Sequence, residues 1–179
     1  MNQMLPHEQT YPSKEVAKAT GVTAKFIQNC ASRKLITGYE SGGGKGRQRE
    51  FTWVNLMQIG LAASLIEIGV TTPADAFRAA VMFSHIGHDE NPGLGIPARR
   101  IAYPSHYREG DTYLFVSGKE KVVRIEPKAS GEMYRLQQSL GRPKGYIALN
   151  VSKVFQSVCD NMGWRSAEVL DAIYEGLDN

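Results

Sequence analysis

Six polar side chains fall close together between positions 23 and 34: Thr23, Lys25, Gln28, Asn29, Arg33 and Lys34. Glutamine and asparagine amides present a donor and an acceptor in one plane, the arrangement that pairs with the edge of an adenine. One good bidentate pair of this kind discriminates by about 1–3 kcal/mol. Lys25, Arg33 and Lys34 suit phosphate clamping, which fixes register without reading sequence. A second group follows at Ser41-Gly-Gly-Gly-Lys-Gly-Arg47 and Arg49. There, glycines would let Lys45, Arg47 and Arg49 approach a duplex backbone or minor groove closely. The plain alternative for both groups is a solvated, solubilising surface.

Side chains like these act together only if local structure aims them. Ser13 is a candidate cap for a short helix carrying Val16, Ala17 and Ala19, and Gly21 is a natural stop. Thr23 caps a second helix, roughly 24–33, in which Phe26, Ile27 and Cys30 share one apolar face. Two short helices joined by a tight glycine-containing turn form a helix-turn-helix candidate. The polar, glycine-rich loop from Thr37 to Glu50 has the length of a two-stranded wing, with its cations at the tip. Thr52 then caps a long helix with Leu56, Ile59, Ala63 and Ile66 at helical spacing, closed by Gly69. Thr72-Pro-Ala-Asp75 opens another helix: a cap, a proline at the first position and an acid in the first turn. Residues 1–12 read as a loose lead-in.

Beyond residue 87 the texture changes, with Gly87, Pro92, Gly93, Gly95, Pro97 and Pro104 scattered among polar groups. This predicts a connector over 91–110. Tyr113–Val116 and Val122–Ile125 flank Ser117-Gly118-Lys119 as a hairpin, and Tyr146–Leu149 adds a candidate third strand. Two helices follow, about 152–162 and 166–177.

Formal net charge is +3, but its distribution is uneven. Residues 1–51 hold eight Lys/Arg against four Asp/Glu, and residues 111–153 hold the same numbers. Residues 154–179 reverse the balance, with one cation and five acids. Basic blocks favour polyanions, because each phosphate neutralised releases condensed counterions.

Other chemistry finds less support. The Gly-rich loop lacks the spacing and terminal Lys-Ser/Thr of a phosphate-binding loop. His85, His88, Asp89, Glu90 and His106 do not form a defined metal set, and His85 reads as a histidine interacting with a helix end. Tyr103, His106, Tyr107 and Arg108 read as loop packing. Cys30 and Cys159 are expected to be small buried hydrophobes. No nucleophile is paired with a general base, and no cofactor motif is present, so the expectation is a non-enzyme without cofactor or metal. The longest apolar run, residues 59–66, is too short for a membrane span of about 20 residues, and the N-terminus does not resemble a secretory signal. A cytoplasmic location with no membrane partner is the expectation.

The segment Ser13-Lys-Glu-Val-Ala-Lys-Ala-Thr-Gly-Val-Thr-Ala-Lys-Phe-Ile27, followed by Lys34-Leu-Ile36, resembles the start of the MerR family of transcriptional regulators. Arg49-Glu-Phe51 is similar to that family's Arg-x-Tyr at the exit of the wing. The stretch from Leu56 to Val70 resembles the helix ending in its Gly-Phe signature, and Thr72–Phe77 matches the short helix after it. The resemblance covers about residues 11–85. Gln28-Asn-Cys-Ala31 stands where the family usually has Arg-Tyr-Tyr-Glu, and no sustained heptads mark its long dimerising helix.

The expected fold is therefore mainly α. A MerR-like winged helix-turn-helix head occupies residues 1–90, and a small α+β region for dimerisation or effector binding occupies 111–179. The expected function is a sequence-specific DNA-binding transcriptional regulator that binds double-stranded DNA as a homodimer. Helix 23–33 would read the major groove, the 37–51 wing would touch backbone or minor groove, and Ser13 joins the candidate contacts. An architectural or phage-type DNA-binding protein (excisionase or small terminase subunit) and a protein-interaction module using the same face remain the alternatives. Whether an effector exists is left open.

Overall fold

The structure is a computed structural model that describes residues 5–39, 49–87, 100–105, 107–118, 121–125 and 143–175, with Leu136, Gln138, Leu140 and Gly141. Among these residues it is a mixed arrangement of six α-helices and two small antiparallel sheets. The helices are α1 (Ser13–Thr20), α2 (Ala24–Ser32), α3 (Trp53–Glu67), α4 (Pro73–Ser84), α5 (Val151–Met162) and α6 (Ser166–Tyr174). The strands are β1 (Thr10–Pro12), β2 (Glu50–Thr52), β3 (Tyr113–Ser117), β4 (Lys121–Ile125) and β5 (Ile147–Asn150). No helix among the described residues is long and apolar enough to cross a membrane.

Helix α3 is the axis of the molecule. Most of its residues are apolar, and Trp53, Leu56, Met57, Ile59, Leu61, Ala62 and Leu65 are all fully buried, with Asn55 and Gln58 buried among them. A helix buried on most sides has no broad polar stripe, which is why its sequence looks largely hydrophobic. Helix α4 packs along it through Phe77, Ala80 and Phe83. Helices α1 and α5 meet it at Gly60, where an added Cβ would lie 3.4 Å from the Thr20 methyl and 3.6 Å from a Val158 methyl. Both are ordinary van der Waals distances, so the three helices meet in close contact at Gly60 with room for a methyl group.

Residues 5–12 are more ordered than a loose lead-in. Pro6–Glu8 form a 3-10 turn, and β1 pairs antiparallel with β2 in the register Tyr11↔Phe51. Proline, whose φ is restricted, continues β1 up to the helix, so Pro12 is the N-cap of α1 and Ser13 is its first helical residue. The Tyr11 hydroxyl, pushed above its ordinary pKa by burial, donates to the Pro6 carbonyl at 2.7 Å.

The pairing of β2 with β1 also bears on the loop over 37–50. The strand that leaves this loop takes its partner from before α1, and Leu35–Ile36 are not a strand. The second sheet has the order β4-β3-β5, with Leu114 and Val116 on its inner face toward the helices. One hydrophobic cluster includes Val16, Ile27 and Trp53 together with Leu114, Phe155 and Val169. It therefore spans both sides of the 91–110 segment. Trp53 is its hub, with ring centroids 5.7 Å from Tyr103, 5.9 Å from Phe155 and 6.0 Å from Trp164.

Candidate nucleic-acid interface

Helix α2 is aimed by its two ends. At the start, the Thr23 hydroxyl oxygen accepts the Phe26 backbone N–H at 3.1 Å, satisfying a donor that the helix cannot pair internally. At the end, the Lys34 N–H donates to Ala31 O and the Leu35 N–H to Cys30 O, each at 3.0 Å. These two bonds define a Schellman close, whose penultimate residue must be left-handed. Lys34 accordingly has φ +55°, whereas the equivalent bend after α3 is made by Gly69.

Between these ends the helix has two distinct sides. Ile27, Cys30 and Ala31 are buried against the core, and the Phe26 ring lies 6.4 Å from Phe77 of α4. Lys25, Gln28, Asn29 and Arg33 are exposed along the opposite side, with Thr23 and Lys34 exposed at its ends. Their spacing of three and four residues places them on one stripe. Lys25, Arg33 and Lys34 have no carboxylate partner among the described residues, and the first turn carries no acid. The stripe thus offers amides and uncompensated cations at the surface. Ser13 is half-buried at the start of α1.

The loop that follows this helix in the chain is anchored at both ends. Tyr39, near its start, stacks on Phe51, just after it, with centroids 4.7 Å apart and planes 13° from parallel. Two buried amides of α3 grip its entry. Asn55 Nδ2 donates to Thr37 O at 2.9 Å, while Gln58 Oε1 accepts the Thr37 N–H at 2.9 Å. Gln58 Nε2 donates to Thr37 Oγ1 and to Phe77 O, both at 3.1 Å. Arg49 sits at the base of the loop, immediately before β2, and is half-buried. Its Nη1 is enclosed and has no hydrogen-bond partner among the described residues. Lys45 and Arg47 lie outside the described residues.

His85, which ends α4, belongs to the same anchorage. Its Nε2 lies 3.2 Å from Thr37 O, and its Nδ1 lies 2.7 Å from the Ser84 hydroxyl, which also bonds to Ala80 O. Burial holds its pKa below the usual imidazole value, and the Thr37 bond opposes that shift. His88, Asp89, Glu90 and His106 lie outside the described residues. Tyr103 is buried, while Tyr107 and Arg108 both bond to Asp171 of α6 and lower its pKa.

Buried thiols are poor nucleophiles. Desolvation raises the Cys30 pKa, partly offset by Arg33, and Cys159 is pushed up to about 12.

One cation of the second basic block is not at the surface. Arg124 is 5% exposed; its guanidinium carbon lies 4.5 Å from the Phe83 ring centroid, and Nη2 donates to Tyr103 O at 3.0 Å. Alternation along β4 turns Arg124 inward with Leu114, so it braces the sheet and cannot add to a DNA footprint. Lys144 is exposed; Lys119, Lys128, Arg135 and Arg142 lie outside the described residues.

The structure therefore brings together Thr23, Lys25, Gln28, Asn29, Arg33 and Lys34. The clamp of Asn55, Gln58 and His85 on Thr37 is the part that sequence reasoning missed. Its only signal was two amides inside an otherwise apolar helix. No protein-family model matches the chain, and no curated protein matches it closely enough to count as a relative.

Proposed function

We propose that the chain is a sequence-specific, double-stranded DNA-binding transcriptional regulator of winged helix-turn-helix type. In this reading α2 lies in the major groove and the loop after Thr37 serves as the wing. Gln28 and Asn29 meet base edges, while Lys25, Arg33 and Lys34 meet phosphates. The observation that carries the reading is the stripe on α2: polar, cationic and unpaired outside, sealed against the core inside. The MerR-like order of motifs over residues 11–85 supports it independently. A dimer would set two α2 helices about one turn of DNA apart, the spacing of two half-sites.

Selection of bound duplexes from a random pool, repeated across a salt series, tests this. A recovered motif with steep salt dependence supports a regulator. Binding without a motif replaces it with an architectural DNA-binding protein. Absence of binding at low salt removes the DNA reading and leaves α2 as a protein-docking face.

A further inference from the structure

The sheet β4-β3-β5 ends at β5, which pairs with β3 on one side and with no described strand on the other. The Val151 N–H donates to Thr112 O at 2.9 Å, and this bond fixes the phase of the ladder. Antiparallel pairs alternate, so Ile147 and Leu149 turn their backbone N–H and C=O toward β3 while Ala148 turns both away. The Asn150 N–H points away with them. These outward groups have no hydrogen-bond partner among the described residues, and Ala148 is exposed. Strand edges are commonly guarded by a charge, a proline or a bulge. Residues 146–151 carry neither charge nor proline, and the register with β3 runs without a bulge.

A cleft of about 400 Å³ borders this edge, with room for apolar side chains. Gly60, Ile68, Val154 and Val158, from α3, its C-terminal cap and α5, give it an apolar wall, and Ile68 is 44% exposed. Lys153 is the one charged residue among the described lining. It is exposed, and its Nζ donates to Gln156 Oε1 at 3.2 Å, with no carboxylate partner among the described residues. Lys144, also exposed, lies just before the other end of β5.

We propose that β5 and this cleft bind an extended, acidic peptide segment of a partner protein as an added strand. The Ala148 N–H and C=O and the Asn150 N–H pair with its backbone, an apolar side chain enters the cleft, and its acidic residues meet Lys144 and Lys153. Backbone pairing supplies affinity in such a mode, while the cleft and the cations supply selectivity. Charge argues against a second copy of this chain as the occupant. Two-fold antiparallel pairing about Ala148 would set Lys144 of each copy opposite Ser152 of the other, next to Lys153, so cations would face cations. The inference stands whether or not the chain binds DNA.

Titration of the full chain into the fluorescent peptide Glu-Thr-Val-Thr-Val-Glu, followed by anisotropy, tests it. Saturable binding is expected, about 10-fold tighter than to the same peptide with lysines in place of its glutamates. N-methylation of one alternate set of peptide amides should abolish binding and methylation of the other set should spare it, because only one set faces β5. Ala148→Pro removes the outward N–H without touching the β3 ladder and should also abolish binding. Lys153→Glu, at an exposed position, should erase the preference for the acidic peptide, and it keeps the test open if thermal melts show the proline variant unfolded. Absence of saturation, indifference to peptide charge, equal effects of the two methylated sets, or wild-type binding by the folded variants would overturn the inference. So would a dimer in sedimentation that Ala148→Pro dissociates, which would give the edge to a second copy.

Discussion

Gln58 holds Thr37 by both its backbone N–H and its hydroxyl, from a position in α3 that is fully buried. This joins the most buried helix among the described residues to the first residue of the loop that follows α2. Replacing Gln58 with leucine keeps much of the volume but orphans the Thr37 N–H, while the Phe77 carbonyl keeps its bond within α4. An orphaned group costs about 1–3 kcal/mol, so Gln58→Leu should lose about 1–3 kcal/mol in urea unfolding. A loss below about 1 kcal/mol would show that water or a shifted backbone satisfies the Thr37 N–H.

Lys34 stands where glycine would be less strained. Relief of a left-handed L-residue is worth about 1–2 kcal/mol, less the extra freedom glycine gives the unfolded chain, about 0.5–1 kcal/mol. Lys34→Gly should therefore raise stability by about 0.5–1 kcal/mol while weakening binding to duplex DNA. An unfolding midpoint below wild type would mean that the lysine stem contributes packing that offsets its strain.

The α2 stripe makes a prediction in salt. Lys25→Ala and Arg33→Ala should each reduce the slope of log affinity against log salt by about 0.9, the expectation for one lost phosphate contact. Melting temperatures should hardly change, since both side chains are exposed. Gln28→Ala should alter the selected sequence more than the affinity. Slopes identical to wild type would move the contact surface off α2.

How much of this was legible from sequence depends on the range of the interaction. Thr23, Thr52 and Thr72 are N-caps as their spacing implies, because a cap bonds within its own turn. Gly69 and the β3–β4 hairpin likewise follow from local chemistry. β1 was not legible: three residues carry no period, and their partner lies forty positions away. The inward face of Arg124 was not legible either, because a basic residue in a short strand gives no sign of which face it occupies. The exposure of the α2 stripe follows from its heptad-like spacing, whereas its amide-gripped neighbour depends on contacts 18 to 48 residues apart.

His85 gives the clamp a pH dependence. Its folded pKa lies below the ordinary 6.5, chiefly because burial disfavours the charged ring. As pH falls through 6.5 the unfolded chain takes up a proton before the folded one does, so stability declines with acidification. Urea midpoints at pH 7.5 and 5.5 should differ more for wild type than for His85→Gln. Parallel shifts in the two proteins would assign the dependence to other groups.

Both thiols should be silent toward Ellman's reagent at pH 8 in the folded protein and fully reactive in urea. Cys159, pushed up to about 12, has almost no thiolate at that pH. Rapid labelling of Cys30 in the native state would show that α2 opens to expose its inner face.

Trp164 packs its ring 6.3 Å from Tyr11 and 6.0 Å from Trp53. Two of the aromatic partners that close the N-terminal core thus leave the ribosome early, and the third more than a hundred residues later. A nascent chain stalled before that tryptophan would carry Tyr11 and Trp53 partly uncovered to solvent. Shortened versions ending near residue 90 should therefore be sticky and prone to chaperone capture. Maturation of the half that carries α2 is thus tied to the synthesis of Trp164.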